Sequence, residues 1–246
     1  MNRKTIGVLG TVLCAGAACA SVTIWNPTTE FSVDNGNPNG VWSYGWMPVG
    51  FGELTLYVNH GVFGGNPQWY GWNGDHTPAV WRNLQNSWMN GVAPGQLSLH
   101  PGPGTEPSVV RWTAPEGLNG PAQIVGRFFA GDGGAMRVGV RINGSLEWNA
   151  IDAGAFDLTW LIHSGDTIEF VVYGGYWYGN TPLEAEVRVG RECVVDFNGD
   201  GFVTGADFDM FVQAFESGDV LADFDGDGFI TGINFDDFVQ TFEAGC

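Results

Sequence analysis

Four stretches of the chain alternate apolar and polar residues with a period of two: LTLYV at 54–58, QIVGRFF at 123–129, MRVGVRI at 136–142 and TIEFVVY at 167–173. That period sends successive side chains to opposite faces of an extended backbone, so each stretch predicts a half-buried β-strand. Turn-forming residues lie between them: Asp132-Gly133-Gly134, Asn143-Gly144 and Ser164-Gly165-Asp166. Asn-Gly in particular supplies the positive φ angles of a tight hairpin. Short strands joined by Gly-rich and Pro-rich connections predict an all-β antiparallel sandwich, a jelly roll, over residues 21–190. After residue 193 the period changes. Phe208, Phe211 and Phe215 recur at i, i+3, i+7, and Phe235, Phe238 and Phe242 repeat the spacing. Each set predicts a short helix with one aromatic stripe, and two such stripes can bury one another.

The two helices follow a repeated phrase. DFNGDGFVTGADFDMFVQAFESG from residue 196 returns as DFDGDGFITGINFDDFVQTFEAG from residue 223, with sixteen of 23 aligned positions identical. Asp196, Asn198, Asp200, Thr204 and Asp207 place oxygen-bearing side chains at loop positions 1, 3, 5, 9 and 12. Asp223, Asp225, Asp227, Thr231 and Asn234 hold the same places in the second copy. Calcium needs six to eight hard oxygen ligands around one point, and alternate residues of a tightly turned loop supply them, joined by the carbonyl at position 7. Those carbonyls belong to Phe202 and Phe229. Gly201 and Gly228 at position 6 permit the sharp turn that a Cβ would oppose. This spacing predicts two EF-hand-like loop-helix repeats holding two Ca2+ ions. Thr204 with Asp207, and Thr231 with Asn234, are cap-plus-three signals for the helix starts.

Composition fixes the setting. MNRKTIGVLGTVLCAGAACA carries Arg3 and Lys4, an apolar run and an Ala18-Cys19-Ala20 border, which predicts a signal peptide over residues 1–20 and a secreted or cell-surface protein. No later segment has the apolar length of a transmembrane helix. Beyond residue 20 the chain carries 27 acids against seven arginines, a net charge of −20. Nucleic acid is a poor partner for such a polyanion, because phosphate contacts need a basic surface. Cys193 and Cys246 are the only cysteines after the signal and bracket the repeat. In an exported protein such a pair predicts a disulfide, with a free terminal thiol at Cys246 as the alternative.

Only the short stretch from Gly218, the last residue of the first copy, to Ala222 joins the two copies, too little for the entering helix of a full EF-hand. Residues 193–246 resemble a type I dockerin, and the Cys border with a terminal Gly245-Cys246 is similar to the GC-ended dockerins of exported bacterial proteins, planctomycete ones among them. The resemblance implies that Asp196, Asn198, Asp200, Asp207, Asp223, Asp225, Asp227 and Asn234 carry the metals. It also implies a cohesin-like or other envelope receptor as partner. Two departures stand out. Asn234 is a neutral single-oxygen donor, so the second site should bind calcium more weakly. Phe and Asp also stand early in the helices, where cohesin-binding relatives carry small polar and basic residues.

For residues 21–190 the aromatic clusters are the signal. Trp42-Ser43-Tyr44-Gly45-Trp46, Trp69-Tyr70-Gly71-Trp72 and Tyr173-Gly174-Gly175-Tyr176-Trp177-Tyr178 set rings beside glycines. Trp69, Tyr70, Trp72, Tyr176, Trp177 and Tyr178 are the candidate glycan-binding residues, with Asn66, Gln68, Asn73, Asp75 and Asn180 to hold hydroxyls. Core filling is the alternative for any one ring. The phrases LSLHPGPGTEPSVVRWTAP, GRFFAGDGG and HSGDTIEFVV resemble jelly-roll domains of the carbohydrate-binding type, which implies a noncatalytic saccharide-binding role. Two other functions remain open: a polysaccharide hydrolase or lyase, drawing on Glu53, Asp75, Glu147, Asp152 or Asp157 as paired carboxylates, and a structural envelope protein. No nucleophile elbow, zinc-binding helix motif or reactive cysteine accompanies those acids.

Overall fold

The computed structural model describes residues 22–72, 74–189, 195–198, 203–224 and 228–244. The signal segment 1–20, Asn73, the cysteines Cys193 and Cys246, and the loop positions Asp200, Phe202, Asp225 and Asp227 lie outside the described residues. The chain divides into two compact units, one spanning Thr23–Val189 and the other containing the C-terminal repeats.

The larger unit is built from β1 (Thr23–Trp25), β2 (Trp42–Trp46), β3 (Thr55–Leu56), β4 (Asn59–Phe63), β5 (Asn66–Tyr70), β6 (Ala79–Arg82), β7 (Leu97–His100), β8 (Ser108–Thr113), β9 (Gly120–Phe128), β10 (Arg137–Ile142), β11 (Ser145–Ile151), β12 (Gly154–Ile162), β13 (Thr167–Tyr173) and β14 (Thr181–Val189). They form a β-sandwich. One sheet runs β12-β9-β14-β7-β6-β5-β4, with β1 also paired to β14, and the other runs β11-β10-β13-β8-β2-β3. Every pairing is antiparallel. Of the four alternating stretches, three become strands of six residues or more; LTLYV yields only the two-residue β3. The β10–β11 hairpin turns on Asn143 and Gly144, both at positive φ, as Asn-Gly allows.

Alternation explains the core. In β13, Ile168, Phe170 and Val172 point between the sheets and pack with Val110, Trp112, Val138, Val140 and Phe128. The opposite face of β13 is covered as well. Met47, Val109 and Val171 form a second small core capped by Phe51 and Leu54. Beneath that cap Glu169 is almost wholly buried and bridges two arginines: Arg111 Nε donates to Oε1 at 2.8 Å and Arg141 Nη1 to Oε2 at 2.5 Å. Arg141 also donates to Gly144 O and lies 4.5 Å over the Phe51 ring. A buried carboxylate survives folding only when such partners replace its water.

The C-terminal unit holds α1 (Gly205–Ser217), a single 3-10 turn Val220–Ala222, and α2 (Gly232–Ala244). Phe211 and Phe238, both fully buried, stack face to face with ring centroids 3.8 Å apart. Phe208, Phe215, Phe235 and Phe242 close around them. Phe197 and Phe224, from equivalent places in the two loops, meet that stack edge-on. Gly218 ends α1 in the left-handed region at φ 70°, satisfying the last carbonyls of the helix.

Candidate functional site

Register places a set of polar and aromatic side chains on the outer face of the larger sheet. Trp69, Val80, Leu97 and Leu99 point into the sandwich core. Alternation therefore turns their neighbours Gln68, Tyr70, Ala79, Trp81, Ser98 and His100 outward. Gln68 pairs across with Trp81, Trp81 with Ser98, and Ala79 with both Tyr70 and His100, so the outward set is continuous over three strands. Asn66 on β5 and Phe63 on β4 are paired and extend it to the sheet edge.

Three loops rise around this face, 71–78, 83–96 and 174–180, and leave a cleft of about 260 Å³. Phe63, Ala79 and Trp81 form its apolar floor, and Asn66, Gln68, Asp75, His76, Asn90, His100 and Asn180 supply polar atoms. Hydrogen bonds anchor each loop to a strand. Gln68 Nε2 donates to His76 O at 2.8 Å, and the Leu84 N–H donates to Asn66 Oδ1 at 2.8 Å. The Trp81 indole N–H donates to Asn180 Oδ1 at 2.8 Å, while Asn180 Nδ2 donates to Asp132 Oδ2 at 2.8 Å. Loops 71–78 and 174–180 also meet through the Tyr176 hydroxyl, which donates to Asp75 Oδ2 at 3.0 Å. Gly131, at φ 62°, sits against Asn180 O, where any Cβ would strike backbone; only glycine lets these segments approach.

The ionisable groups are tuned by these contacts. Partial burial works to raise the Asp75 pKa, but hydrogen bonds led by the Thr77 N–H and including the Tyr176 hydroxyl outweigh it, so the carboxyl titrates below its usual range. Burial lowers the His100 pKa, against the opposing pull of the Pro101 carbonyl, Asp132 and Asp75. His100 is thus neutral at pH 7. Its Nδ1 lies 2.7 Å from Pro101 O, a group that only accepts, so Nδ1 carries the proton and Nε2 is an acceptor.

The six aromatic candidates separate. Trp69 belongs to β5 and is only 3% exposed, with its indole N–H on Ser32 O. It is a core residue and offers no face to a ligand, because strand alternation turns it inward. Tyr70 faces outward but is buried by Phe63 and His76. Trp72 is 37% exposed on its loop and leans on Trp46. Tyr176 packs edge-on against His100 and braces the rim. Trp177 and Tyr178 are 78% and 70% exposed, with the Trp177 ring edge-on against Tyr176. Sequence reasoning missed Trp88, 71% exposed on the loop that brings Met89 and Asn90 to the cleft. The Asn86 to Gly91 run around it, rich in turn formers, was the available signal. Each rim loop therefore carries an exposed tryptophan. Among Glu53, Asp75, Glu147, Asp152 and Asp157, only Asp75 lines the cleft.

In the C-terminal unit the described loop residues wrap inward. The fully buried Asp207 carboxylate accepts from the Asn198 N–H at 3.1 Å and the Thr204 N–H at 2.8 Å, and lies 3.2 Å from the Thr204 hydroxyl. Burial alone would raise its pKa; these hydrogen bonds prevail and lower it. In the second copy, Asn234 is equally buried and accepts from the Thr231 N–H at 2.7 Å, and Asp223 Oδ2 accepts from the Gly228 N–H at 2.8 Å. Gly228 takes φ 86°. Among the described residues no three His, Cys, Asp or Glu side chains cluster as a metal site; Asp200, Asp225 and Asp227 stand outside that set. No helix of the described residues is long and apolar enough to cross a membrane.

No family model matches the sequence, and no curated protein matches it. Among solved structures the chain is similar to a family 35 carbohydrate binding module from Clostridium thermocellum, at 8% identity over 53% of this chain and 95% of that one, with a TM-score of 0.30. It is similar to the CBM36-1 domain of a multidomain xylanase from the hindgut metagenome of Trinervitermes trinervoides, at 12% identity, 70% and 98% coverage, and a TM-score of 0.29. A bushbaby GITRL matches at 14% identity, 42% and 75% coverage, and a TM-score of 0.25. Likenesses this distant carry no argument about a ligand.

Proposed function

We propose that this chain is an exported, noncatalytic saccharide-binding protein whose C-terminal unit is a calcium-braced, dockerin-like module for docking or surface retention. The observation that carries the saccharide assignment is the outer-face cleft, with an aromatic floor, amide and carboxylate groups converging from Asn66, Gln68, Asp75 and Asn180, and an exposed tryptophan on each rim loop. A sugar ring has an apolar face for Trp177 or Trp88 and hydroxyls that pair with amides and carboxylates. The lone cleft carboxylate favours binding over hydrolysis, which ordinarily uses two. A glycan array probed with the calcium-loaded full chain tests this, beside Trp88→Ala and Trp177→Ala. Binding that falls at least tenfold in either variant supports the assignment. An array with no signal, or a signal both substitutions leave untouched, refutes it.

For the tail, the described donors Asp196, Asn198, Thr204, Asp207, Asp223, Thr231 and Asn234 are all hard oxygen groups, the chemistry calcium selects. The buried Asp207 and Asn234, each tied to its own loop, fit that role. Bound calcium would neutralise the clustered carboxylates, the first site more tightly than the second, and so couple metal to folding. The partner of the tail would be a cohesin-like or other envelope receptor.

A further inference from the structure

Resting on the saccharide reading above, the charge of the cleft narrows the ligand further. Its lining contains no arginine or lysine. Lys4 is the sole lysine of the chain, so no flexible ammonium reaches the rim from elsewhere in the sandwich. Arg82 follows Trp81 on β6 and alternation turns it to the other face, where its Nε donates to Gly95 O. Arg137 lies along Gly174 at the root of one rim loop, outside the lining. Against this stand one carboxylate in the lining and a second behind it. Asp75 is exposed on the cleft wall, held by the Thr77 N–H and the Tyr176 hydroxyl. Asp132 stands behind Asn180, 2.8 Å from its amide nitrogen.

We propose that the cleft admits saccharide units that are uncharged or carry an amino group, excludes uronate and sulfated units, and that Asp75 enforces the choice. An ionised Asp75 accepts hydrogen bonds from hydroxyl or ammonium groups. A ligand carboxylate or sulfate entering beside it meets like charge with no guanidinium in the lining to compensate.

Calorimetric titration of the calcium-loaded full chain tests this at low salt with size-matched neutral, glucosamine-type and galacturonate-type oligosaccharides. The expected result is that neutral or amino oligomers bind at least about tenfold more tightly than uronate oligomers, a difference a like-charge contact readily supplies. In Asp75→Asn, whose fold is checked by circular dichroism, the ratio of neutral to uronate affinity should fall several-fold. Uronate binding as tight as neutral binding in the wild type, or a ratio unmoved by Asp75→Asn, overturns the inference and leaves the saccharide reading intact. If none of the three classes binds, the saccharide reading itself fails and the inference falls with it.

Discussion

Asn180 is the keystone of the cleft wall, and its removal has a calculable cost. Its amide joins the buried Trp81 indole N–H on one side to Asp132 Oδ2 on the other, each at 2.8 Å. Asp132 Oδ1 is buried without a hydrogen-bond partner. Asn180→Ala therefore strands a buried indole donor and removes the hydrogen bond to Asp132 Oδ2. A buried unsatisfied donor costs about 1–3 kcal/mol, and a hydrogen bond to a charged group contributes roughly 1.5–3 kcal/mol. The variant should lose about 3–5 kcal/mol, a large share of a typical domain's stability. Urea unfolding followed by tryptophan fluorescence is the assay. All eleven tryptophans fall between Trp25 and Trp177, so the signal reports the sandwich alone. A double-mutant cycle with Asp132→Ala separates the two contributions, with a coupling of about 1.5–3 kcal/mol expected for the charged contact. A destabilisation under about 0.5 kcal/mol, or a coupling near zero, refutes the reasoning.

Other perturbations follow from the same contacts. Glu169→Ala leaves Arg111 and Arg141 without their shared carboxylate under the Phe51 cap and should cost about 3–5 kcal/mol by the same urea assay. His100, with its pKa lowered by burial, contributes fully above the unfolded value of about 6.5 and loses that contribution as pH falls from there towards its folded pKa. Thermal melts from pH 7.5 to 5 should show that loss in the wild type and less of it in His100→Gln. Chelation of calcium should abolish the far-ultraviolet helical signal of the C-terminal unit, and readdition should restore it. Phe238→Ala, which empties the centre of the ring stack at about 3–5 kcal/mol, should lose that signal even with calcium present.

The helices were the most legible part of the chain. Phe at i, i+3 and i+7 has few other uses, and a Thr with an acid or amide three residues later announces a cap that the structure forms at both starts. Strands were legible where alternation ran for six residues. β5 and β6 escaped notice because NPQWY and AVWR are short and buried on both faces, which erases the polar half of the pattern. That loss also explains Trp69. A tryptophan flanked by Gly, Asn and Pro looks like loop chemistry, yet its outward or inward direction depends on which residue of the strand pairs with Val80. The polar residues Asn66, Gln68, Asp75 and Asn180 were legible as candidates one by one. Their convergence was not, since the β7–β14 pairing sets Thr181 against Leu99 and so brings Asn180 to Trp81, 99 positions earlier.

Indole N–H resonances offer the most direct test of where a saccharide binds. With the eleven tryptophan signals assigned, the calcium-loaded chain is titrated with whichever oligosaccharide the array selects. If the outer-face cleft is the binding site, Trp81, Trp88 and Trp177 shift together with saturation while the buried Trp42, Trp69 and Trp112 hold still. Saturable binding that leaves Trp81, Trp88 and Trp177 unmoved would place the ligand elsewhere and contradict the assignment.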